Sequence, residues 1–325
     1  MTHALVPDEQ NERSIELALE RLIHSAKELG SAARSPATNR AYASDLLLYR
    51  DWCAQHGFLA FPAEPQTIAL YAAALYEQDR AVATIRRRII AIAFEHKRRD
   101  LPVPTDHTLV KEVLKGIRRT RGVAQEKKAP LRGDDVKIMM SALPNTPRGW
   151  RDRAILVLGY AGAFRRSELA ALQLEWVVSA PGGLEILLPF SKTDQEGAGT
   201  RVIIESGEDE MTCPVRVLKR YLYEAKITSG PIFRAIDRHG NISNKAISSE
   251  SIASIVKRHV EKSLGRNADQ YGAHSLRSGF ATVLDEHGAT LPQIMQRGRW
   301  KSERVARGYI RSEAWQQPLS GKLGL

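Results

Sequence analysis

The sequence contains little cysteine and no long apolar segment. Its 325 residues include two cysteines, Cys53 and Cys213, which are too few for a disulfide framework or a cysteine-rich zinc site. The longest near-continuous apolar run is 154–164, whereas a membrane-spanning helix needs about 20 residues. The first residues, MTHALVPDEQNERS, lack the basic and apolar segments of a secretory signal. We therefore expect a soluble cytoplasmic protein with no membrane partner.

Motifs of two other enzyme classes are also missing. The sequence has no GxxxxGK[ST] loop, the pattern that cradles nucleotide phosphates, so nothing indicates the use of ATP. No cluster of Asp and Glu of the polymerase or nuclease type lies near the basic motifs described below, which disfavours two-metal chemistry. We expect no cofactor and no metal.

Positive charge is abundant and unevenly distributed. The chain has 48 Lys and Arg against 37 Asp and Glu, a formal net charge of +11. Residues 80–128 alone contain 14 basic and 5 acidic side chains, whereas residues 1–79 contain 6 and 11. A basic stripe confined to one segment is more typical of phosphate binding than a diffuse excess. The alternative is a solvated helix face. The favoured acidic partner is nucleic acid.

Helical periodicity dominates the first third of the chain. Apolar residues spaced by three and four predict helices within 14–29 and at 38–56, 66–78, 83–99 and 106–121. Residues 122–130, GVAQEKKAP, are charged and lack apolar periodicity, which is typical of a linker. The sequence therefore predicts a helical N-terminal domain over 1–121, followed by a linker over 122–130.

The remainder, residues 131–325, is predicted to be mainly helical with one small antiparallel sheet. Helices are expected at 133–142, 148–162, 215–225, 248–264, 274–287, 291–297 and 302–311. Residues 183–190 and 200–205 read as two strands around the polar turn 191–199. The predicted fold class of the whole chain is mainly α.

Three polar features in this second part suit chemistry on a phosphate. Arg165 and Glu168 lie three apart at a helix start, directly after the apolar run, although such pairs are common on helix surfaces. Lys192 lies in the turn between the two strands, where a lysine is usually solvated. His274 and Arg277 lie three apart on one predicted helix face, so both can reach one ligand.

An aromatic pair near the end of the chain is the fourth feature. Trp300 precedes Tyr309 by nine residues. Such residues normally serve packing. Here Arg304, Arg307 and Arg311 surround the tyrosine in sequence, and their charges would favour its phenolate form.

These features together resemble a known active-site signature, that of the tyrosine recombinases, also called the phage integrase family. The sixth residue of this signature is Trp300 rather than a histidine, which is most similar to Cre-like members. The layout of a helical part, a basic linker and a second part with one hairpin also resembles this family. The resemblance implies a core-binding, SAM-like domain over 1–121 and a catalytic domain with a C-terminal tail over 131–325. The matching residues, in chain order, are Arg165, Glu168, Lys192, His274, Arg277, Trp300 and Tyr309.

The family resemblance implies a site-specific recombinase that cuts and rejoins DNA without ATP or metal. It would act through a 3′-phosphotyrosine intermediate and a Holliday junction. Tyr309 would be the nucleophile, and Arg165 and Arg277 would bind the non-bridging phosphate oxygens. Trp300 would donate a hydrogen bond through its indole N–H.

The other three positions have supporting roles in the family. His274 would assist removal of the tyrosine proton, and Lys192 would protonate the leaving 5′-oxygen. Glu168 would orient its neighbours. Two alternatives are a type IB topoisomerase, which uses similar tyrosine chemistry, and a DNA-binding regulator that retains the fold. The complete set of seven residues argues against the second alternative.

The expected partner is double-stranded DNA with inverted-repeat recognition sites. The helix at 83–99 is the best candidate for a groove-facing helix. Ser248–Ser251 opens a helix where Cre-like proteins read the major groove, and the glutamate there departs from the arginine expected. It would accept a hydrogen bond from cytosine or cap the helix, and we favour capping. The candidate DNA-binding residues are Arg40, Arg86, Arg87, Arg88 and Glu250.

The resemblance also implies a homo-tetramer assembled on two DNA sites. Residues 311–325 would dock on a neighbouring protomer, with Trp315 and Leu319 as apolar anchors. The alternative is a frayed tail. A protein of this kind is expected in the cytoplasm, associated with the nucleoid.

Overall fold

The computed structural model describes residues 9–122, 127–189 and 199–311. The chain divides into two compact units, Met1–Gln125 and Glu126–Leu325. Helices dominate both units, and small antiparallel sheets occur in the second. The predicted fold class, mainly α, is confirmed. Within the described residues, no helix is both long and apolar enough to cross a membrane.

The described part of the first unit consists of five α-helices, four of which share a core. Ser35 accepts a hydrogen bond from the Thr38 amide at the start of the second helix, and Gly57, with a φ of 71°, ends it. Buried side chains of the last four helices, among them Tyr49, Tyr71 and Ile92, form that core. The helices are α1 (Glu9–Ala32), α2 (Pro36–His56), α3 (Pro65–Glu77), α4 (Val82–Arg98) and α5 (Thr108–Arg121).

Two buried carboxylates pair with the arginines of α4. Asp45 accepts hydrogen bonds from Arg87 Nε and Nη2 at 2.8 and 3.0 Å, and Arg88 lies 3.6 Å from the same carboxylate. Glu95 accepts two hydrogen bonds from Arg98, and this pairing lowers the pKa of Glu95 to about 2. Several arginines of the basic stripe are therefore paired with carboxylates within the first unit.

The second unit is built around one buried helix. This central helix, α7, contains most of the apolar run of the sequence, and residues 149–159 are all buried. It packs against α9 and α11. Gly279 allows the close approach of α11 to the chain at Leu131, since a Cβ there would lie 1.6 Å from the Leu131 carbonyl oxygen. The described helices are α6 (Gly133–Ser141), α7 (Pro147–Ala161), α8 (Arg166–Ala171), α9 (Pro214–Glu224), α10 (Ser249–Leu264), α11 (Ala273–Glu286), α12 (Leu291–Gly298) and α13 (Glu303–Arg307).

Two small antiparallel sheets flank these helices. The first has the strand order β1-β2-β3, with Val177 opposite Ile186 and Leu188 opposite Thr200. Only its second and third strands were expected. The other three described strands are 4, 3 and 5 residues long, which is too short for an alternating apolar pattern to stand out in the sequence. The strands are β1 (Val177–Ala180), β2 (Gly183–Leu188), β3 (Thr200–Glu205), and, in the second sheet, β4 (Arg234–Ile236) and β5 (Ile242–Ala246).

A buried carboxylate joins α7 to α10. Asp152, 2% exposed, accepts hydrogen bonds from Arg151 at 2.8 and 3.0 Å and from Arg258 at 2.9 Å, and it lies 2.9 Å from His259 Nε2. Burial opposes its charge, yet the His259 hydrogen bond and the Arg151 charge outweigh burial and lower the pKa of Asp152. The two helices are therefore held together by ionic and hydrogen-bonded contacts as well as by apolar packing.

Candidate active site

Six of the seven residues of the signature lie together in one cluster of the second unit. Two come from the start of α8, two from α11, and two from the segments that flank α13. Lys192 lies outside the described residues. The six that converge are Arg165, Glu168, His274, Arg277, Trp300 and Tyr309.

The start of α8 fixes the first arginine and the glutamate. Arg165 is the residue before the first turn, and its backbone N–H donates to Glu168 Oε2 at 2.9 Å, which is the reciprocal half of a capping box. Arg165 Nη1 donates to Glu168 Oε1 at 2.5 Å. Burial disfavours the charge of Glu168, but the positive charge of Arg299, the backbone hydrogen bond and Arg165 together lower the pKa of Glu168. Glu168 is therefore a buried anion that holds Arg165.

The connection between α7 and α8 contains a left-handed residue. Ala163 has a φ of 44°, a conformation that costs a residue with a Cβ about 1–2 kcal/mol. Its carbonyl oxygen accepts hydrogen bonds from Arg277 Nη1 and from Arg299 Nη2. Backbone strain of this kind concentrates at functional sites, and here it accompanies a carbonyl group that holds two guanidinium groups.

Arg277 is the most deeply buried cation of the pocket. It is 1% exposed, and its Nη1 and Nη2 donate to the carbonyl oxygens of Ala163 and Gly298. Burial, followed by the charges of Arg165 and Arg299, lowers the pKa of Arg277 to about 9. The side chain remains cationic at neutral pH, but its charge is poorly compensated. An anion in the pocket would relieve this electrostatic cost.

Trp300 packs between the other aromatic and cationic groups. Its ring lies 4.1 Å from the Arg277 guanidinium carbon and 5.0 Å, centroid to centroid, from the Tyr309 ring. Gly298 makes room for it, because a Cβ at that position would come within 1.7 Å of the indole ring. The indole Nε1 is buried without a hydrogen-bond partner among the described residues.

Tyr309 lies beyond α13 rather than within a helix over 302–311. The helix ends at Arg307, and the following segment is tied to α11. Ser278 Oγ donates to the Tyr309 carbonyl oxygen at 2.6 Å, and Thr282 Oγ accepts from the backbone N–H two residues further on, at 3.0 Å. His274 stacks on the Tyr309 ring with centroids 6.3 Å apart. The expected helix is therefore shorter because side chains of α11 hold this backbone in another path.

Three residues of this site were not anticipated from the sequence. Ser278 and Thr282 follow His274 at intervals of four, which places them on the same face of α11, and that spacing was a usable signal. Arg299 donates to Glu168 Oε2 at 3.0 Å. Nothing in the spacing of the arginines distinguished it from its neighbours in sequence.

The candidate DNA-binding residues differ in their surroundings. Arg40 and Arg86 are exposed on α2 and α4. Arg87 and Arg88 instead turn to the buried Asp45, as described above. The α10 cap is Ser248, whose Oγ accepts from the Ser251 N–H at 3.0 Å, and Glu250 lies exposed in the first turn. None of these contacts tests DNA binding, which stays a prediction for each residue. Within the described ranges, no group of three or more His, Cys, Asp or Glu is placed to hold a metal ion.

Comparison with known proteins gives consistent matches. The profile of the phage integrase family matches residues 130–315. The chain is 36% identical over 295 residues to an integrase/recombinase xerD homolog of Selenomonas ruminantium, covering 90% of this chain and 86% of that protein. It is 24% identical over 279 residues to recombinase cre of Escherichia phage P1, covering 80% of each.

Two solved structures share the fold. One is the XerH site-specific recombinase bound to a palindromic difH substrate in a post-cleavage complex, with a TM-score of 0.61 and 19% identity over 88% of this chain and 79% of that one. The other is a lambda integrase dimer bound to a COC′ core site, with a TM-score of 0.56 and 16% identity over 89% and 76%.

Proposed function

Because the chain belongs to the phage integrase family and is a site-specific tyrosine recombinase, we propose that Tyr309 is its nucleophile. Residues 131–325 would form the catalytic domain, and residues 1–121 the core-binding domain. In cleavage, the Tyr309 oxygen attacks the scissile phosphorus. A phosphotyrosine bond forms to the 3′ side, and the bond from phosphorus to the 5′-oxygen breaks.

The protons move between side chains and substrate. His274, stacked on the tyrosine ring, accepts the phenolic proton as the new bond forms. Lys192, which lies outside the described residues, donates a proton to the leaving 5′-oxygen. A second 5′-hydroxyl then attacks the phosphotyrosine and restores the phosphodiester, so no external energy is consumed. Strand exchange at two sites in turn passes through a Holliday junction.

The observation that carries this proposal is a group of buried hydrogen-bond donors that have no partner among the described residues. The Nε of Arg277 and the Nε1 of Trp300 are buried without partners among the described residues. Both lie beside Tyr309, with the Arg277 guanidinium carbon 5.4 Å from the tyrosine ring. A phosphate that gains charge in the transition state would accept from these donors, which is the electrostatic stabilisation such a reaction needs.

A covalent-capture experiment tests the nucleophile. The protein is incubated with a nicked duplex that carries the inverted repeat it selects from a random library, so that cleavage releases a short fragment and cannot reverse. Wild type should form a protein–DNA adduct that is stable in denaturing gels, and Tyr309→Phe should form none while binding the same duplex. Absence of an adduct with wild type on the selected site would overturn the proposal.

The chain would bind double-stranded DNA with both units and assemble as a homo-tetramer on two inverted-repeat sites. Support for an interface between copies comes from α1, on which every side chain from residue 15 to residue 30 is exposed. These include Ile15, Leu17, Leu22 and Leu29, between 58 and 73% exposed. A second copy of the chain would cover these side chains. Trp315 and Leu319 lie outside the described residues. In the cell the protein would be found with the nucleoid in the cytoplasm.

A further inference from the structure

Arg299 occupies an unusual position beside the pocket. It connects α12 to α13 and has a φ of 59°, in the left-handed region that glycine adopts without strain. Its side chain is only 8% exposed. A buried guanidinium group on a strained backbone needs compensation from specific contacts.

Three hydrogen bonds provide those contacts. Arg299 Nη1 donates to the Gly162 carbonyl oxygen at 2.8 Å, and Nη2 donates to the Ala163 carbonyl oxygen at 3.2 Å. Nη2 also donates to Glu168 Oε2 at 3.0 Å. The Ala163 oxygen is the one that holds Arg277. Arg299 is therefore bonded to the groups that position both arginines assigned to the scissile phosphate.

The contact between Arg299 and Glu168 limits the hydrogen bonds that Arg165 can make to Glu168. Glu168 Oε2 is already occupied by Arg299 and by the backbone N–H of Arg165, and only Oε1 accepts from the Arg165 side chain. A two-nitrogen fork between Arg165 and Glu168 is therefore prevented. Nε and Nη2 of Arg165 have no hydrogen-bond partner in the described part of the chain. They are left to bind a phosphate oxygen.

We propose that Arg299 is a positioning residue, which holds Glu168 and the Ala163 carbonyl so that Arg165 and Arg277 face the scissile phosphate. This inference rests on the proposed function. Arg299 would act through two other arginines rather than through contact with the DNA. Its loss should therefore slow cleavage more than it weakens binding.

The test compares Arg299→Gly, Arg299→Lys and a control, Arg297→Ala. Glycine fits the left-handed backbone, so this variant should fold, which its thermal unfolding will show. Lysine keeps the charge but not the fork of donors. Arg297 is an exposed arginine on α12 paired with the exposed Glu205 at 2.9 Å, so its loss removes one charge and one ion pair outside the pocket.

The measured quantities are the rate of adduct formation at saturating nicked duplex and the dissociation constant of the same duplex. With Arg299→Gly, the rate should fall by about tenfold, the usual scale for loss of a supporting contact, while the dissociation constant stays within about twofold. Arg299→Lys should be intermediate, and Arg297→Ala should cleave like wild type.

A pH series separates positioning from a general loss of structure. Glu168 faces Arg165, Arg277 and Arg299, and without Arg299 its charged form loses the strongest of its stabilising partners. Loss of Arg299 therefore raises the pKa of Glu168, and the rate of Arg299→Gly relative to wild type should fall further as the pH is lowered.

The outcomes distinguish this inference from the proposed function. If wild type forms the adduct and Arg299→Gly cleaves at the same rate at every pH, the positioning role is wrong and the proposed function stands. If Arg299→Gly does not fold, the same conclusion follows from an Arg299→Lys protein that cleaves at the wild-type rate at every pH. If wild type forms no adduct, the proposed function fails and this inference fails with it.

Discussion

At the scale of single residues, the pocket contains donors that the folded protein does not use. A buried N–H without an acceptor costs about 1–3 kcal/mol. Trp300 Nε1 and Arg277 Nε are both of this kind within the described residues. Under the proposed function, the stability that is lost in the free protein would be regained when the scissile phosphate binds, so these two donors would bind the charged transition state more strongly than they stabilise the fold.

Trp300→Phe separates these two effects. Phenylalanine keeps an aromatic ring beside Arg277 and Tyr309 but removes a buried donor that has no partner. We expect the melting temperature to stay equal or rise slightly, while adduct formation at saturating DNA slows by about tenfold or more. Calorimetry and the covalent-capture assay measure the two quantities.

The matched control is Trp176→Phe, at a partly buried tryptophan that packs on the main core of the second unit. It should lose some stability and retain the cleavage rate. A Trp300→Phe protein that is clearly less stable and cleaves normally would show that the indole serves packing alone.

At the scale of elements, α4 illustrates why a run of arginines cannot be interpreted from sequence alone. Arg86, Arg87 and Arg88 are consecutive, so a helix must point them in different directions. Arg86 is exposed, Arg87 is half exposed while it pairs with Asp45 on α2, and Arg88 lies further inside beside the same carboxylate. Asp45 lies 42 positions from Arg87, and no local pattern predicts such a contact.

Arg86→Gln and Arg87→Gln should therefore differ in effect. Loss of an exposed cation that meets phosphate should reduce the slope of log affinity against log salt by about one, without loss of stability. Loss of Arg87 should instead lower the free energy of unfolding by about 2 kcal/mol, because Asp45 keeps a buried charge with fewer partners. Salt titrations and denaturant unfolding of both variants give the comparison. An unchanged slope for Arg86→Gln would remove this residue from the DNA contacts.

Helix positions were largely predictable, and the failures have physical causes. Periodic apolar spacing and capping residues located α2 to α5 to within a few positions. The predicted helix over 302–311 ends early because Ser278 and Thr282 bind the backbone that follows. Those bonds join segments far apart in the chain. The role of Arg299 was hidden for the same reason, since its partners lie more than 130 positions away.

At the scale of the whole molecule, the basic residues behind the net charge of +11 do not all lie free on one exposed surface. Glu95, Asp45, Asp152 and Glu168 each bind two or more arginines in buried or half-buried positions. The charge of these arginines is therefore partly neutralised by carboxylates within the folded protein. The charge that steers DNA is therefore smaller than the formal total, and it resides in exposed residues such as Arg40 and Arg86.

Assembly is the second property of the whole molecule, and α1 provides its test. Leu22→Asp with Leu29→Asp places two charges on side chains that are 67 and 73% exposed in one copy. We expect binding of one copy to a single half-site to be unchanged, because these residues are not among the candidate DNA-binding residues. Tetramers on two sites, measured by light scattering, should be lost.

Leu59→Asp is the control, since Leu59 is 68% exposed and lies outside α1. It should assemble like wild type. Normal tetramers from the double variant would exclude α1 as the interface between copies.

The buried Asp152 has a kinetic consequence. It holds α10, the helix proposed to enter the major groove, against α7, and α7 leads through Ala163 to Arg165. One helix of 15 residues would therefore connect contact with a base to the placement of the proposed phosphate-binding Arg165. A mismatched site that shifts α10 would be rejected through a slower cleavage step as well as through weaker binding, so discrimination between sites is expected in the rate of bond breakage.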